Sequence, residues 1–137
     1  MPLNHFYPDF GHLLLCDFER GFVPPEMVKK RQVVVISPKI THSRKLCTVI
    51  PLSTTAPEPA SDWHYLLRSN PIAADCHKEV WAKCDMLYTV SFDRLDKLHR
   101  KTRKGREYFA PKIDAVDMNG IMRGVAAYLS HLRHVVD

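Results

Sequence analysis

This sequence predicts a mainly β fold with one helix at its end, a small antiparallel β-barrel of SH3-like type plus a C-terminal helix. Three observations carry that prediction. The apolar runs, such as Val33-Val34-Val35-Ile36, are strand-length and β-branched. Prolines and polar clusters (Pro24-Pro25, Pro38, Pro57, Pro59, Pro71) cut the chain between them. Helical periodicity is confined to the last segment.

In order, Met1 to Phe10 reads as an irregular lead-in and Gly11 to Phe18 as the first strand. Glu19 to Met27, with its proline pair, is too long for a tight hairpin. Arg31 to Ile36 is the second strand, Lys39 to Lys45 a polar loop, and Leu46 to Ser53 the third strand. After a linker from Thr54 to Ser61, Trp63, Tyr65 and Leu67 alternate with His64 and Arg68 as in a half-buried strand. Ser69-Asn70-Pro71 is a turn, and one long strand is expected from Glu79 to Val90. Ser91 to Leu98 makes a turn or short helix, and Tyr108-Phe109 returns to the sheet. Asp114 can then cap a helix whose Met118, Ile121, Met122, Val125, Leu129 and Leu132 share one face. Gly120 and Gly124 each cost that helix about 1 kcal/mol against alanine, and their spacing of four invites a close neighbour.

A chain of 137 residues, 45% hydrophobic and 26% charged, is expected to form a single domain spanning residues 1–137. No apolar run approaches the ~18 residues of a membrane helix. The first ten residues lack the basic and apolar regions of a secretory signal, so the expected setting is soluble and cytoplasmic. Cys16, Cys47, Cys76 and Cys84 have no CxxC spacing and read as free thiols. Cys76, His77 and Cys84 are the only conceivable metal cluster and lack a second ligand pair, so neither metal nor cofactor is expected. The net charge of +5 is concentrated in Lys97, Arg100, Lys101, Arg103, Lys104 and Arg106, which leaves the remainder near neutral. Such an arm suits a polyanion, although a solvated mobile loop would have the same composition.

The chemistry-bearing residues cluster at strand ends. Lys29-Lys30-Arg31 opens the second strand, and Ser53-Thr54 closes the third. An arginine fork can hold two phosphate oxygens, and a hydroxyl can bond a phosphate or a ribose. An arginine guarding a sheet edge and hydroxyls serving loop geometry would look the same. On a continuous fifth strand Lys83 and Asp85 would share a face about 7 Å apart, a separation at which cation and carboxylate can bracket a phosphodiester or simply form a salt bridge. His42 and Arg44, in the polar loop, are candidate RNA contacts, as are Arg100, Lys101, Arg103 and Lys104 in the arm. Trp63, His64, Trp81 and Tyr88 could stack on bases or belong to the core. Walker, dinucleotide, GxSxG and HExxH patterns are all missing.

The order of Gly11–Phe18, Arg31-Gln-Val-Val-Val-Ile36, Thr48-Val-Ile-Pro-Leu-Ser53 and Lys83-Cys-Asp-Met-Leu-Tyr-Thr-Val90 resembles the MazF/PemK (Kid-type) toxins of bacterial toxin–antitoxin modules, from about Gly11 to the end of the helix. The resemblance implies a homodimeric, metal-independent endoribonuclease acting on single-stranded RNA at short sequence motifs. Its 2′-hydroxyl attack leaves a cyclic phosphate and a 5′-hydroxyl. It implies catalytic roles for Arg31 and Ser53, with Lys83 and Asp85 as acid and base, and an acidic antitoxin as partner. The chain departs from the family pattern in three places. Gln32 follows Arg31 where proline is usual, Lys83 stands for an arginine, and Pro24, Pro25 and Glu26 occupy the stretch where some members carry a histidine. The alternative reading is a non-catalytic barrel that binds nucleic acid or a protein target such as gyrase.

Overall fold

The computed structural model describes residues 3, 6–71 and 77–132. Among them, nine strands and one α-helix follow in the order β1 (Leu13–Asp17), β2 (Lys30–Val35), β3 (Leu46–Ser53), β4 (His64–Leu66), β5 (Trp81–Lys83), β6 (Tyr88–Ser91), β7 (Leu95–Asp96), β8 (Leu98–Thr102), β9 (Gly105–Phe109) and α1 (Ala115–Leu132). The fold is mainly antiparallel β with a single C-terminal helix among the described residues. The principal sheet runs β4-β5-β3-β2-β1-β7, with β6 joining β3 as a branch. Among the described residues no pairing of β4 with β7 closes this path, so the barrel closure expected from the sequence is not part of the observed ladders.

β3, the longest strand, organises the sheet. Its Val49, Ile50 and Pro51 pair with β2, while its other edge is divided between β6 along Leu46–Val49 and β5 along Leu52–Ser53. This division corrects the expected continuous strand from Glu79 to Val90. Leu52 pairs with Ala82 and Val49 with Tyr88, so the two registers differ by three residues. The surplus is absorbed by a turn in which Met86 N–H donates to the Lys83 carbonyl at 3.0 Å. Opposite that turn lies Pro51, which has no N–H to offer a ladder.

Alternation along the strands gives two cores, one on each face. Leu13, Val34, Ile50, Leu52, Ala82 and Cys84 pack against Met118, Ile121 and Val125 of the helix. Leu14, Cys16, Val33, Val35, Cys47 and Val49 form the other face with Phe18, Val90, Phe92 and Leu95. The helix face is shorter than its periodicity predicts. Leu129 and Leu132 remain 48% and 44% exposed, because α1 runs on past the sheet.

Asp114 caps α1 as predicted, its Oδ1 accepting the Asp117 N–H at 2.9 Å. That bond, followed by the nearby Arg68 guanidinium, holds the Asp114 carboxyl below its ordinary value. A depressed folded-state pKa contributes stability above the ordinary carboxylate range, which is lost as pH falls through the folded value. Asp114→Ala should therefore lower the melting temperature by roughly a few degrees at neutral pH. The gap from wild type should close as the buffer is taken to strongly acidic pH, as a thermal melt at each pH will record.

The cationic arm is not an irregular loop. β8 and β9 form a two-stranded hairpin in register from Leu98↔Phe109 to Thr102↔Gly105, turning at Arg103-Lys104 with Gly105 at φ +112°. Tyr108 and Phe109 thus pair with β8 and not with the main sheet.

Candidate functional site

The site is built from one row across the sheet. Ser53 pairs with Trp81, and Trp81 with Leu66 on its other side. The β2–β3 register set by Val33↔Pro51, carried on two residues, aligns Arg31 with Ser53. Paired residues face the same way, so Arg31, Ser53 and Trp81 project from one face, with side chains about 5 Å apart between neighbouring strands. This is the face of Val33 and Cys16, and the row lies where that core runs out toward the strand ends. Arg31 is exposed and Ser53 half-buried, so both are open to a ligand. The Ser53 hydroxyl also accepts the Thr55 N–H at 3.1 Å, which fixes the backbone just beyond the strand.

Lys83, two residues from Trp81, shares this face and lies opposite His64 of β4. Asp85 does not stand on a strand beside Lys83. It sits in the turn that Lys83 opens, and its Oδ1 lies 3.9 Å from His64 Nε2. The carboxylate still reaches the face that carries Lys83, by way of the turn and not by strand rise. Cys84, between them, points the other way into the helix-side core. Burial, with the Asp85 charge as a second cause, pushes its thiol up to about 12, which makes it inert as a nucleophile at neutral pH. Gly124 of α1 makes this arrangement possible. A Cβ there would stand 2.7 Å from Cys84 Sγ and 3.1 Å from the Trp63 carbonyl oxygen, which itself accepts the Cys84 N–H. The helix therefore presses directly on the turn that presents Asp85.

Two polar atoms on this face are buried without a hydrogen-bond partner, Trp81 Nε1 and Asp85 Oδ1. Orphaned groups of this kind are rare in folded proteins and concentrate where a ligand completes the bonding.

The remaining sequence candidates fall into three places. Lys29, Lys30 and Thr54 surround the row and are exposed, but Lys30 alternates with Arg31 to the opposite face and stands 4.0 Å from Glu19. His42 is a correction. Expected in an exposed loop, it is fully buried, with its ring bonded to Ser37 Oγ at 2.6 Å and to the Pro8 carbonyl at 3.0 Å. Its own carbonyl accepts the Tyr7 hydroxyl, so the residue ties the N-terminal segment to the loop. Arg44 lies with Ser37, Thr41, Thr48 and Thr89 in a shallow cleft at the far end of β3 from Ser53.

The third group is the hairpin. Arg100, Lys101, Arg103 and Lys104 are exposed on it, with Arg100 paired to Glu107 at 3.0 Å and stacked over Phe109. The hairpin root meets Gln32 and Leu15, on the opposite face of the sheet from Arg31. The Cys76 member of the conceivable metal cluster lies outside the described residues.

His64 and the indole N–H of Trp81 are the site features that sequence reasoning did not assign. His64 alternates with apolar residues like any solvated strand position, and only the β4–β5 register brings it beside the Lys83–Asp85 turn.

The fold and this face define a small antiparallel β protein with an arginine, a hydroxyl and a Lys/Asp/His group at the ends of adjacent strands. The chain belongs to the PemK-like, MazF-like toxins of type II toxin–antitoxin systems, whose family pattern matches residues 9–128. It is 33% identical over 117 residues to the uncharacterised protein YifN of Escherichia coli (strain K12), covering 71% of this chain and 76% of that one. The MazF crystal structure from Deinococcus radiodurans superposes with a TM-score of 0.66 at 17% identity, covering 91% of this chain and 98% of that one. A mycobacterial endoribonuclease solved with its cognate antitoxin gives 0.61 at 17% identity, covering 90% and 95%. At these identities the structures speak to the fold. No helix among the described residues is long and apolar enough to cross a membrane.

Proposed function

We infer that this chain is a toxin that cleaves single-stranded RNA by internal attack of a ribose 2′-hydroxyl, with no metal ion in the reaction. One observation carries the reading: the cross-strand row that aligns Arg31 with Ser53, with Lys83 and Asp85 on the same face. Asp85 takes the proton from the 2′-hydroxyl as the O2′–P bond forms. Lys83 gives a proton to O5′ as the P–O5′ bond breaks, and solvent resets both groups. The products are a 2′,3′-cyclic phosphate and a 5′-hydroxyl. Arg31 meets the charge that develops on the equatorial phosphate oxygens, and Ser53 bonds and orients the same phosphate. An ammonium at position 83 supplies charge and a proton but no bidentate fork, so Arg31 carries the planar recognition.

An SH3-like barrel, a homodimer, a cytoplasmic setting and an acidic antitoxin over the Arg31 face complete the proposal. Support comes from family membership and from the positive face, which suits both RNA and an acidic polypeptide. Lys29, Thr54 and the hairpin cations Arg100, Lys101, Arg103 and Lys104 are proposed to add affinity for the RNA backbone.

The test is incubation of the purified protein with a long single-stranded RNA in chelator. Discrete fragments ending in cyclic phosphate are expected, and a 2′-deoxy substitution at the cut nucleotide should abolish that cut. Intact RNA retained in a salt-sensitive complex would replace this reading with the non-catalytic binding barrel.

A further inference from the structure

Asp85 presents an inner oxygen with nothing bound to it. Oδ1 is shielded from solvent and has no hydrogen-bond partner, although the side chain is 33% exposed, so the exposure falls on the remainder of the group. The polar atom facing Oδ1 is His64 Nε2 at 3.9 Å, about 1 Å beyond hydrogen-bond range. The imidazole is oriented for that contact. Its Nδ1 accepts the Ser61 N–H at 3.0 Å, which leaves Nε2 as the nitrogen that carries the proton. The ring is only 11% exposed and packs 6.0 Å from Trp63, whose other neighbours are Tyr128 and His131 of the helix. A pre-aimed donor thus faces an unpaired acceptor across a small gap, beside Lys83 on the adjoining strand.

We propose that His64 is a positioning residue for Asp85: its Nε2–H closes onto Oδ1 when RNA fills the site, and the outer oxygen is thereby held toward the ribose 2′-hydroxyl. This rests on the reading of Asp85 as the base. His64 neither gives nor takes a proton in the reaction; it fixes the rotamer of the group that does. The gap in the free protein is consistent with bonds that tighten only in the substrate complex.

The experiment compares wild type, His64→Phe and His64→Gln. Phenylalanine preserves a packed ring without a donor, and glutamine can place an amide N–H near the Nε2 position. A hydrogen bond to a charged group is worth roughly 10- to 100-fold in rate. His64→Phe should lower the saturated cleavage rate by about that factor, with KM within about twofold and the melting temperature within a few degrees. His64→Gln should recover most of the rate. Equal loss in both variants, loss confined to KM, or no loss would overturn the proposal.

A second readout needs no activity. The 15N shifts of the His64 ring should report an Nε2-protonated imidazole whose signal moves in Asp85→Asn, and an unmoved signal would also overturn it. If wild type cleaves nothing yet the His64 signal depends on Asp85, the pairing stands and the ribonuclease reading falls.

Discussion

Arg31→Ala should lower RNA cleavage by about 10²–10³-fold, with little change in folding stability. The side chain is exposed at the start of β2 and opposite Cys16 and Ser53 in the ladders, so its removal leaves no cavity and no orphaned partner. What is lost is the guanidinium that meets phosphate charge in the transition state. Arg31→Lys keeps the charge without the planar fork and should fall between wild type and alanine. The loss should appear in the rate at saturating RNA more than in KM, because the interaction strengthens as charge develops. Gel-based initial rates on one long RNA, with thermal melts as a folding control, check each statement. An alanine variant that cuts as fast as wild type would remove Arg31 from the site and leave the cross-strand row without a chemical purpose.

How much of this was legible in the sequence depends on how local the cause is. β2 and β3 were visible because β-branched runs report their own conformation, and the expected bounds of β3 are the observed ones. The two helical glycines announced a close approach, since nothing within the helix itself favours them. The broken fifth strand was not legible. Lys83 to Tyr88 alternates acceptably, and the three-residue offset exists only in its pairings with β3. His42 was misread for a similar reason. Its sequence neighbours are polar, and the groups that bury it, Tyr7 and Pro8, lie 35 and 34 residues away. The hairpin was hidden by its charges, although Gly105 at a left-handed position was the signal that a two-residue turn precedes it. For the site, the residue types at the strand ends were readable. The partnership of Asp85 with His64 was not, because it depends on a register between short strands joined through a distant loop.

Gly120→Ala should destabilise the protein by about 2–4 kcal/mol, even though alanine is the better helix former by about 1 kcal/mol. A Cβ at this position would stand 2.0 Å from Cε1 and 2.3 Å from Cζ of Tyr65, so the ring must leave its place. The Tyr65 hydroxyl donates to Asp117 Oδ1 at 2.7 Å, and Asp117 is 4% exposed. Displacing the ring therefore adds the cost of an under-satisfied buried carboxylate to that of overpacking. The sign of the effect can be reversed by design. With Tyr65→Ala as the background the obstruction is gone, and Gly120→Ala should become neutral or stabilising by up to about 1 kcal/mol. Urea melts of the four proteins in this cycle give the coupling directly. Because β4 carries both Tyr65 and His64, displacement of the ring should also disturb the strand that faces Asp85. Gly120→Ala should then lose cleavage activity at temperatures where it is still fully folded. A variant that is as stable and as active as wild type would mean that the helix does not approach the sheet as closely as the glycine implies.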